Sequence, residues 1–100
     1  MAILTGDEHN YNRLQLARSV NIYPDNYLHP KLNVSRPVYQ INNGAAGAPY
    51  YAQEMAPWSE HTKAFSVQNA LCFFYVDGKK ITMKVINPDT LNEIDQLQLR

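Results

Sequence analysis

The chain has 100 residues, and its nine lysines and arginines balance nine aspartates and glutamates, so the net charge at pH 7 is zero. This length allows one small domain at most, and a balanced charge gives no reason to expect a nucleic acid or an anionic membrane surface as a partner. No run approaches the roughly 20 apolar residues of a membrane span, and no basic segment followed by an apolar one opens the chain as a signal peptide would.

The first predicted element is a short strand, Ala2–Thr5, which leads into the polar segment Gly6–Asn10. The glycine allows a tight turn after the strand. Asp7 and His9 are two residues apart, and side chains at that spacing in an extended segment point to the same side. Both could therefore face one metal ion, with Glu8 directed away from it. On spacing alone, a polar turn in which Asp7 accepts backbone hydrogen bonds is the commoner explanation.

The next part of the chain predicts two strands separated by a long loop. Partial alternation of apolar and polar residues over Arg13–Val20 fits a strand or one helical turn, and the strand is the preferred interpretation. Residues 21–37 contain three prolines and four asparagines or aspartates, which favour turns over regular pairing. Tyr23 and Tyr27 are expected to hold this loop against the body of the protein. A second strand, Pro37–Asn42, follows.

A second long loop is predicted over residues 43–64. Its first part, Asn43–Pro49, is a compact turn of small residues. The remainder is irregular, with one helical turn beginning at Ser59, because serine is a good N-cap and Glu60 favours the first helical turn. Further along, imperfect alternation over Leu91–Leu99 predicts a last strand.

The clearest predicted element is a β-hairpin over residues 70–86. Asp77-Gly78 lies between two apolar runs, which is a strong signal for a two-residue turn. With that turn the numbers of facing residues sum to 155, so that Phe74 faces Ile81 and Cys72 faces Met83 on the core side. The opposite side is half apolar, which predicts partial cover by something outside this chain; its apolar members are Leu71, Phe73 and Tyr75.

Cys72 is the single cysteine, so no internal disulfide can form. Within the apolar run of the hairpin, a buried thiol with a packing role is the expected state. These features leave the cellular compartment undetermined.

The segment Thr5–Arg13 closely resembles the Gly-His-x-His-Asn-Tyr motif of the calcineurin-like metallophosphoesterases, the superfamily that includes the purple acid phosphatases. Asp7 stands where the family usually has its first histidine, and His9 matches the second. Residues 39–49 and 65–85 look like the strand, turn and closing hairpin that follow this motif in the purple-acid-phosphatase-like branch. The family's earlier motifs Gly-Asp-x-x-Asp and Gly-Asn-His-Glu are not in this sequence, and no separate Asp-x-His precedes the Thr5–Arg13 segment.

The resemblance implies an α+β fold, mainly antiparallel β, in which residues 1–100 form one small domain. This domain would be the C-terminal sheet portion of a larger two-layer metallophosphoesterase domain, with long loops. The whole enzyme would hydrolyse a phosphoester with two metal ions, whereas this chain alone would be inactive. The expected partners are therefore the phosphoester substrate and either the missing N-terminal half or a second copy of the chain.

The resemblance also carries a set of expected site residues. His9 and Asp7 would bind metal in the whole enzyme (Fe, Mn, Zn or Mg), and the carboxylate at position 7 favours the harder ions over zinc. The pocket or the shell around the ligands would be formed by Asn10, Tyr11, Arg13, Gly44, Gly47 and Tyr50, with Tyr51 beside it. For Arg13 an ordinary salt bridge is the alternative. The rival hypothesis for the whole chain is a non-catalytic β module that binds a partner or itself, because a cut sheet exposes edges and apolar area.

Overall fold

The computed structural model describes residues 1–19, 23–50, 53 and 55–100. The predicted strand end at Val20, the loop start at Asn21 and the expected pocket residue Tyr51 lie outside these residues. Within them, no helix is long and apolar enough to cross a membrane.

A four-stranded sheet contains the N-terminal motif. Its strands, in chain order, are β1 (Ala2–Thr5), β2 (Tyr11–Ser19), β3 (Asn33–Asn43) and β4 (Thr62–Ser66). Their order across the sheet is β1-β3-β2-β4. β1 runs parallel to β3, and the β3–β2 and β2–β4 pairs are antiparallel. The segment between β1 and β2 therefore crosses over the end of β3.

A three-stranded antiparallel sheet forms the second layer. Its strands are β5 (Leu71–Asp77), β6 (Lys80–Ile86) and β7 (Glu93–Gln98), and β6 lies in the middle. Alternating apolar residues of the central strand face inward, and the side chains of Met83 and Val85 are fully buried. They pack with Tyr11 and Ile41 of the other sheet in one core. Full burial of side chains of this size contributes about 1.5–3 kcal/mol each.

The described residues confirm a mainly antiparallel β protein, and they form two sheets. The helical content is smaller than the α+β expectation, because the described residues contain no α-helix. One turn of 3₁₀ helix, Ser59–His61, lies where a helical turn was predicted. The long loops are shorter than predicted, since residues 33–37 belong to β3 and residues 62–64 to β4.

The predicted start of this strand at Pro37 is wrong, because β3 begins at Asn33. The pairing of β2 with β3 shifts between Leu16, which faces Val38, and Arg18, which faces Val34. Pro37 lies inside this irregularity. A proline has no N–H to donate, and irregular or edge positions of a sheet tolerate that loss. The strand therefore continues through a residue that usually ends one.

The predicted register of the hairpin is wrong by two residues. Asp77 pairs with Lys80, so the loop residues are Gly78 and Lys79, and Phe74 faces Met83 rather than Ile81. Gly78 has a φ of +59°, whereas Lys79 has no positive φ. This is the pattern of a type II′ turn, which places glycine first in the loop. A shift of two residues preserves which side chains share a face, so the predicted core side is unchanged.

Candidate functional site

The motif loop, residues 6–10, is held in place by the end of the strand that it crosses. The side-chain amide of Asn42 on β3 donates to the carbonyl oxygens of Glu8 and Asn10 at 2.9 and 2.8 Å. The backbone N–H of Gly44 donates to the same Asn10 oxygen at 3.2 Å. Asn42 is only 3% exposed, so these hydrogen bonds form away from water. The loop thus has a defined backbone although it contains no regular structure.

Gly44 lies directly beneath the motif loop, and the fit leaves no room for a side chain. A Cβ atom at this position would lie 2.1 Å from the carbonyl oxygen of Glu8 and 2.7 Å from that of Gly6. Both neighbours are backbone atoms, which cannot move aside as the end of a flexible side chain would. The glycine therefore permits the close crossing of the loop over β3.

His9 links the motif loop to the small-residue turn. Its ring Nδ1 lies 2.7 Å from the carbonyl oxygen of Pro49. A carbonyl can only accept a hydrogen bond, so Nδ1 carries the proton. In the neutral ring this tautomer leaves the lone pair on Nε2. Fixing one ring nitrogen against a backbone carbonyl is the usual way in which a metal-ligating histidine is oriented.

Asp7 lines a groove on the face of the four-stranded sheet that is turned away from the other sheet. The groove has a volume of about 320 Å³. Its wall combines amides and carboxylates with two aromatic rings, and the lining residues are Thr5, Asp7, Glu8, Asn10, Asn12, Leu14, Gln40, Asn42, Gln53, Ala56, Trp58, Ser59, Thr62 and Phe65. This volume is at the lower end of the range for small-molecule sites.

Two-residue spacing is not a sufficient guide to side-chain direction in the motif loop. Residues 8–10 bend, so the alternation of an extended strand does not apply. Asp7 lines the groove together with Glu8, which was expected to point away, whereas His9 is not among the lining residues. No group of three or more His, Cys, Asp or Glu side chains that could hold a metal ion occurs among the described residues. Asp7 and His9 thus form no complete metal site with other described residues.

Tyr11 and Arg13, which the motif places in the pocket or in the shell around the ligands, do not line the groove that Asp7 borders. On β2 they face the opposite sheet, and both are hydrogen-bonded to Asp95 of β7. The Tyr11 hydroxyl and Arg13 Nε each lie 2.7 Å from Asp95 Oδ2, and Arg13 Nη2 lies 3.1 Å from Oδ1. The side chains of Arg13 and Asp95 are 11% and 9% exposed. The salt bridge foreseen as the alternative for Arg13 is therefore buried between the sheets.

This Tyr11–Arg13–Asp95 network shifts the ionisation of its members. Burial and the hydrogen bond to Asp95 raise the pKa of Tyr11. Burial alone would raise the pKa of Asp95, but the hydrogen bonds from Arg13 and Tyr11 outweigh it and lower that pKa. The hydrogen bond to Asp95 likewise raises the pKa of Arg13 despite burial. The carboxylate and the guanidinium consequently remain charged near neutral pH.

The remaining expected site residues lie in the motif loop and in the segment that follows β3. Asn10 is buried at 2% exposure and accepts a 2.7 Å hydrogen bond from the Asn12 amide, so it stabilises the loop and lines the groove. Gly47 has a φ of +93° and lies in the turn near the start of β5. The hydroxyl of Tyr50 donates to Asn69 at 2.7 Å. Gly47 and Tyr50 are not among the residues that line the groove with Asp7.

Two residues of this region were not foreseen. Asn42 holds the motif loop in place. Asp95 accepts hydrogen bonds from Tyr11 and Arg13, which come after that loop in the chain. Asn42 and Asp95 are both polar residues in a strand with largely buried side chains, and buried polar side chains are normally hydrogen-bonded. Their partners are 32 to 84 residues away in sequence, beyond the reach of any local pattern.

Comparison with known proteins returned no match: no protein-family model, no curated protein and no solved structure is significantly similar to this chain.

Replacing Asn42 with alanine is expected to lower the free energy of unfolding by about 1–3 kcal/mol, because two hydrogen bonds of about 0.5–1.5 kcal/mol each are lost. The Glu8 and Asn10 carbonyl oxygens then keep only their backbone donors, the N–H groups of Asn10 and Gly44. The change should also broaden or shift the NMR signals of residues 6–10. Gln40→Ala is the matched control, since Gln40 occupies the same face of β3 but is exposed. Equal effects of the two substitutions on the loop signals would contradict the role assigned to Asn42.

Proposed function

We propose that this chain is the C-terminal sheet portion of a calcineurin-like, dinuclear-metal phosphoesterase, in which the motif loop supplies the ligands His9 and Asp7. The observation that carries the proposal is the 2.7 Å contact between His9 Nδ1 and the Pro49 carbonyl oxygen. It orients Nε2, the nitrogen with the lone pair, as a metal ligand requires. The likeness of residues 5–13 to the family's Gly-His-x-His-Asn-Tyr motif supports the same assignment.

The construction of the loop supports the proposal independently of the motif. Hydrogen bonds from Asn42 and the close approach of Gly44 fix its backbone, and preorganised ligands are what a metal site needs. The groove beside Asp7 could accept the alcohol portion of a phosphoester. Paired metal ions polarise the phosphoryl group and provide hydroxide at neutral pH. The other ligands come from outside the described residues, so the chain alone is expected to lack turnover.

The test is a titration of the chain with Mn²⁺, followed by paramagnetic broadening of its NMR signals. We expect selective broadening at His9 and Asp7 at millimolar metal, because two protein ligands bind weakly compared with the three of a usual catalytic site. His9→Ala should abolish it and Asp7→Ala should weaken it severalfold. His29→Ala is the matched control, since His29 lies in an exposed loop against Tyr27.

Two results would overturn parts of the proposal. Broadening that is unchanged in both His9→Ala and Asp7→Ala would remove the ligand assignment. Hydrolysis of an aryl phosphate by the chain alone, with Mn²⁺, Fe²⁺ or Zn²⁺ present, would show that the proposed N-terminal half is not needed for catalysis. The gene provides a separate check: an in-frame Asp-x-His segment upstream of Met1 is expected.

A second candidate function is a non-catalytic module that binds another β-strand. A specific observation favours it: Phe74 and Val76 lie on the edge strand β5 of the three-stranded sheet, and they are 41% and 69% exposed. A module of this kind would associate without metal. Association that is unaffected by a chelator therefore distinguishes it from the first proposal.

A further inference from the structure

β5 is an edge strand with none of the features that usually protect an edge. In the described residues its strand neighbour is β6 alone, and the seven residue pairs between them are regular, without a bulge. The strand contains no proline and no lysine, and its one charge, Asp77, is at its end. Exposed edges are normally shortened, bulged or charged to prevent further pairing. Large apolar side chains are nevertheless exposed along it: Leu71 44%, Phe73 39%, Phe74 41%, Tyr75 57% and Val76 69%.

The direction of the unpaired backbone groups of β5 can be derived from its neighbour. Ile81 donates its N–H to Arg100 at 3.0 Å and accepts from the N–H of Leu99 at 2.8 Å, so both of its groups point away from β5. Ile81 faces Val76, and this pair is therefore a non-hydrogen-bonded one. Because the two kinds of pair alternate, the N–H and C=O groups that face outward belong to Cys72, Phe74 and Val76.

We propose that β5 pairs antiparallel with β5 of a second copy of the chain, about a two-fold axis through Phe74. Phe74 then faces Phe74 of the second copy, and Cys72 faces Val76 of the second copy. These are the residues whose backbone groups point outward, and each such pair exchanges two hydrogen bonds. About six backbone hydrogen bonds would form. Two three-stranded sheets would become one continuous six-stranded sheet.

The side chains of this register favour a second copy as the occupant. Phe73 lies opposite Tyr75 of the second copy, and within one chain the same two rings already stack with centroids 6.4 Å apart. Pairing would therefore bring four rings, two from each copy, into one cluster, and aromatic pairs across strands stabilise a sheet. Asp77 lies opposite Leu71 of the second copy, so that like charges do not meet across the two-fold axis.

The other edges fit this kind of pairing less well. β4 carries Lys63, and its pairing with β2 contains a register shift. β7 carries Glu93 and Asp95, and its pairing with β6 is also irregular. β1 is only four residues long. Charge, irregularity and shortness are the devices that protect an edge, and β5 has only the single charge of Asp77 at its end.

The register is tested by disulfide trapping in a Cys72→Ser background. Facing residues of a hydrogen-bonded antiparallel pair have Cα atoms about 5.5 Å apart, within the range that a disulfide spans. Phe74→Cys should therefore form a disulfide-linked dimer under mild oxidation. Phe73→Cys is the matched control: its Cα would lie more than about 7 Å from its own counterpart, too far for a bridge. Cross-linking of Phe73→Cys alone, or equal cross-linking of both, would overturn the proposed register.

Sedimentation equilibrium of the unmodified chain tests the association itself. We expect a reversible dimer that Phe74→Pro weakens at least tenfold, since proline removes an outward N–H while leaving the hydrogen bonds to β6 intact. Phe74→Leu keeps that N–H and should retain most of the affinity. Circular dichroism confirms that each variant is folded. A monomer at millimolar concentration, or equal weakening by both substitutions, would overturn the proposal, and neither result concerns the metal ligands.

Discussion

Replacing Asp95 with alanine is expected to lower the free energy of unfolding by about 3–5 kcal/mol, as when one partner of a buried ion pair is removed. The loss leaves the Arg13 guanidinium, with a side chain 11% exposed, without its carboxylate, and the Tyr11 hydroxyl loses its acceptor. A domain of this size is stable by only about 5–15 kcal/mol, so a large fraction of that stability would be lost. Urea denaturation followed by circular dichroism measures the change.

A double substitution separates the unpaired charge from the loss of the pair. Arg13→Met with Asp95→Leu should be clearly more stable than Asp95→Ala, because apolar residues of similar volume leave no buried charge behind. A double variant as unstable as Asp95→Ala would show that packing, rather than charge, accounts for the loss.

The stability of the unmodified chain should depend on this network at acidic pH. The folded-state pKa of Asp95 lies below its ordinary value of 3.8, so the folded state favours the ionised carboxylate. The contribution is fully present above that ordinary value and is lost as the pH falls through the lowered folded-state pKa. In Asp95→Ala this acid-dependent part of the stability should be missing.

Replacing Gly44 with alanine is expected to lower the free energy of unfolding by about 2–3 kcal/mol, near the upper end of the usual cost of overpacking. The added methyl group would lie 2.1 Å from the Glu8 carbonyl oxygen, so the motif loop must move away from β3. The same movement should separate His9 from Pro49 and abolish the Mn²⁺-dependent broadening at His9. Thermal unfolding and the NMR titration measure the two effects.

Gly6→Ala is the matched control in the same loop. Its nearest neighbour would be the Asn43 carbonyl oxygen at 3.6 Å, an ordinary contact, and Gly6 has no positive φ. The stability should change by less than about 1 kcal/mol, partly because alanine restricts the unfolded chain. Similar losses for Gly6→Ala and Gly44→Ala would contradict the close crossing of the loop over β3.

Short-range sequence patterns predicted the positions of the strands better than the pairing of residues between strands. The ends of β1 match the prediction, and β5, β6 and β7 lie where alternation and Asp77-Gly78 placed them. The hairpin register differed by two residues because a II′ turn places Gly78 first in the loop. That choice depends on the local backbone energy of two residues, which a pattern of apolar residues does not report. β4 was missed because its sequence, Thr62–Ser66, has little apolar character.

The sequence predicted which segment forms the candidate site, but not the directions or partners of its side chains. The motif marks residues 5–13, but the side-chain directions within it depend on where β2 begins. Because that strand begins at Tyr11, Tyr11 and Arg13 face the second sheet and Asn12 faces the groove. Their partner Asp95 is more than 80 residues away. Pairings of this range are decided by the packing of the two sheets, and no spacing within the motif encodes them.

The order of strands β1-β3-β2 has a consequence for how the chain folds. β3 lies between two strands that precede it in sequence, so neither β1 nor β2 can pair with it until it has been synthesised. Closing such long loops is entropically costly before any contact repays it, and folds rich in distant pairings are slow to form. The motif loop is held by Asn42 and Gly44, which follow it by more than 30 residues, and therefore acquires its final geometry only after β3 has paired. A ligand that recognises this loop would select molecules that have completed folding.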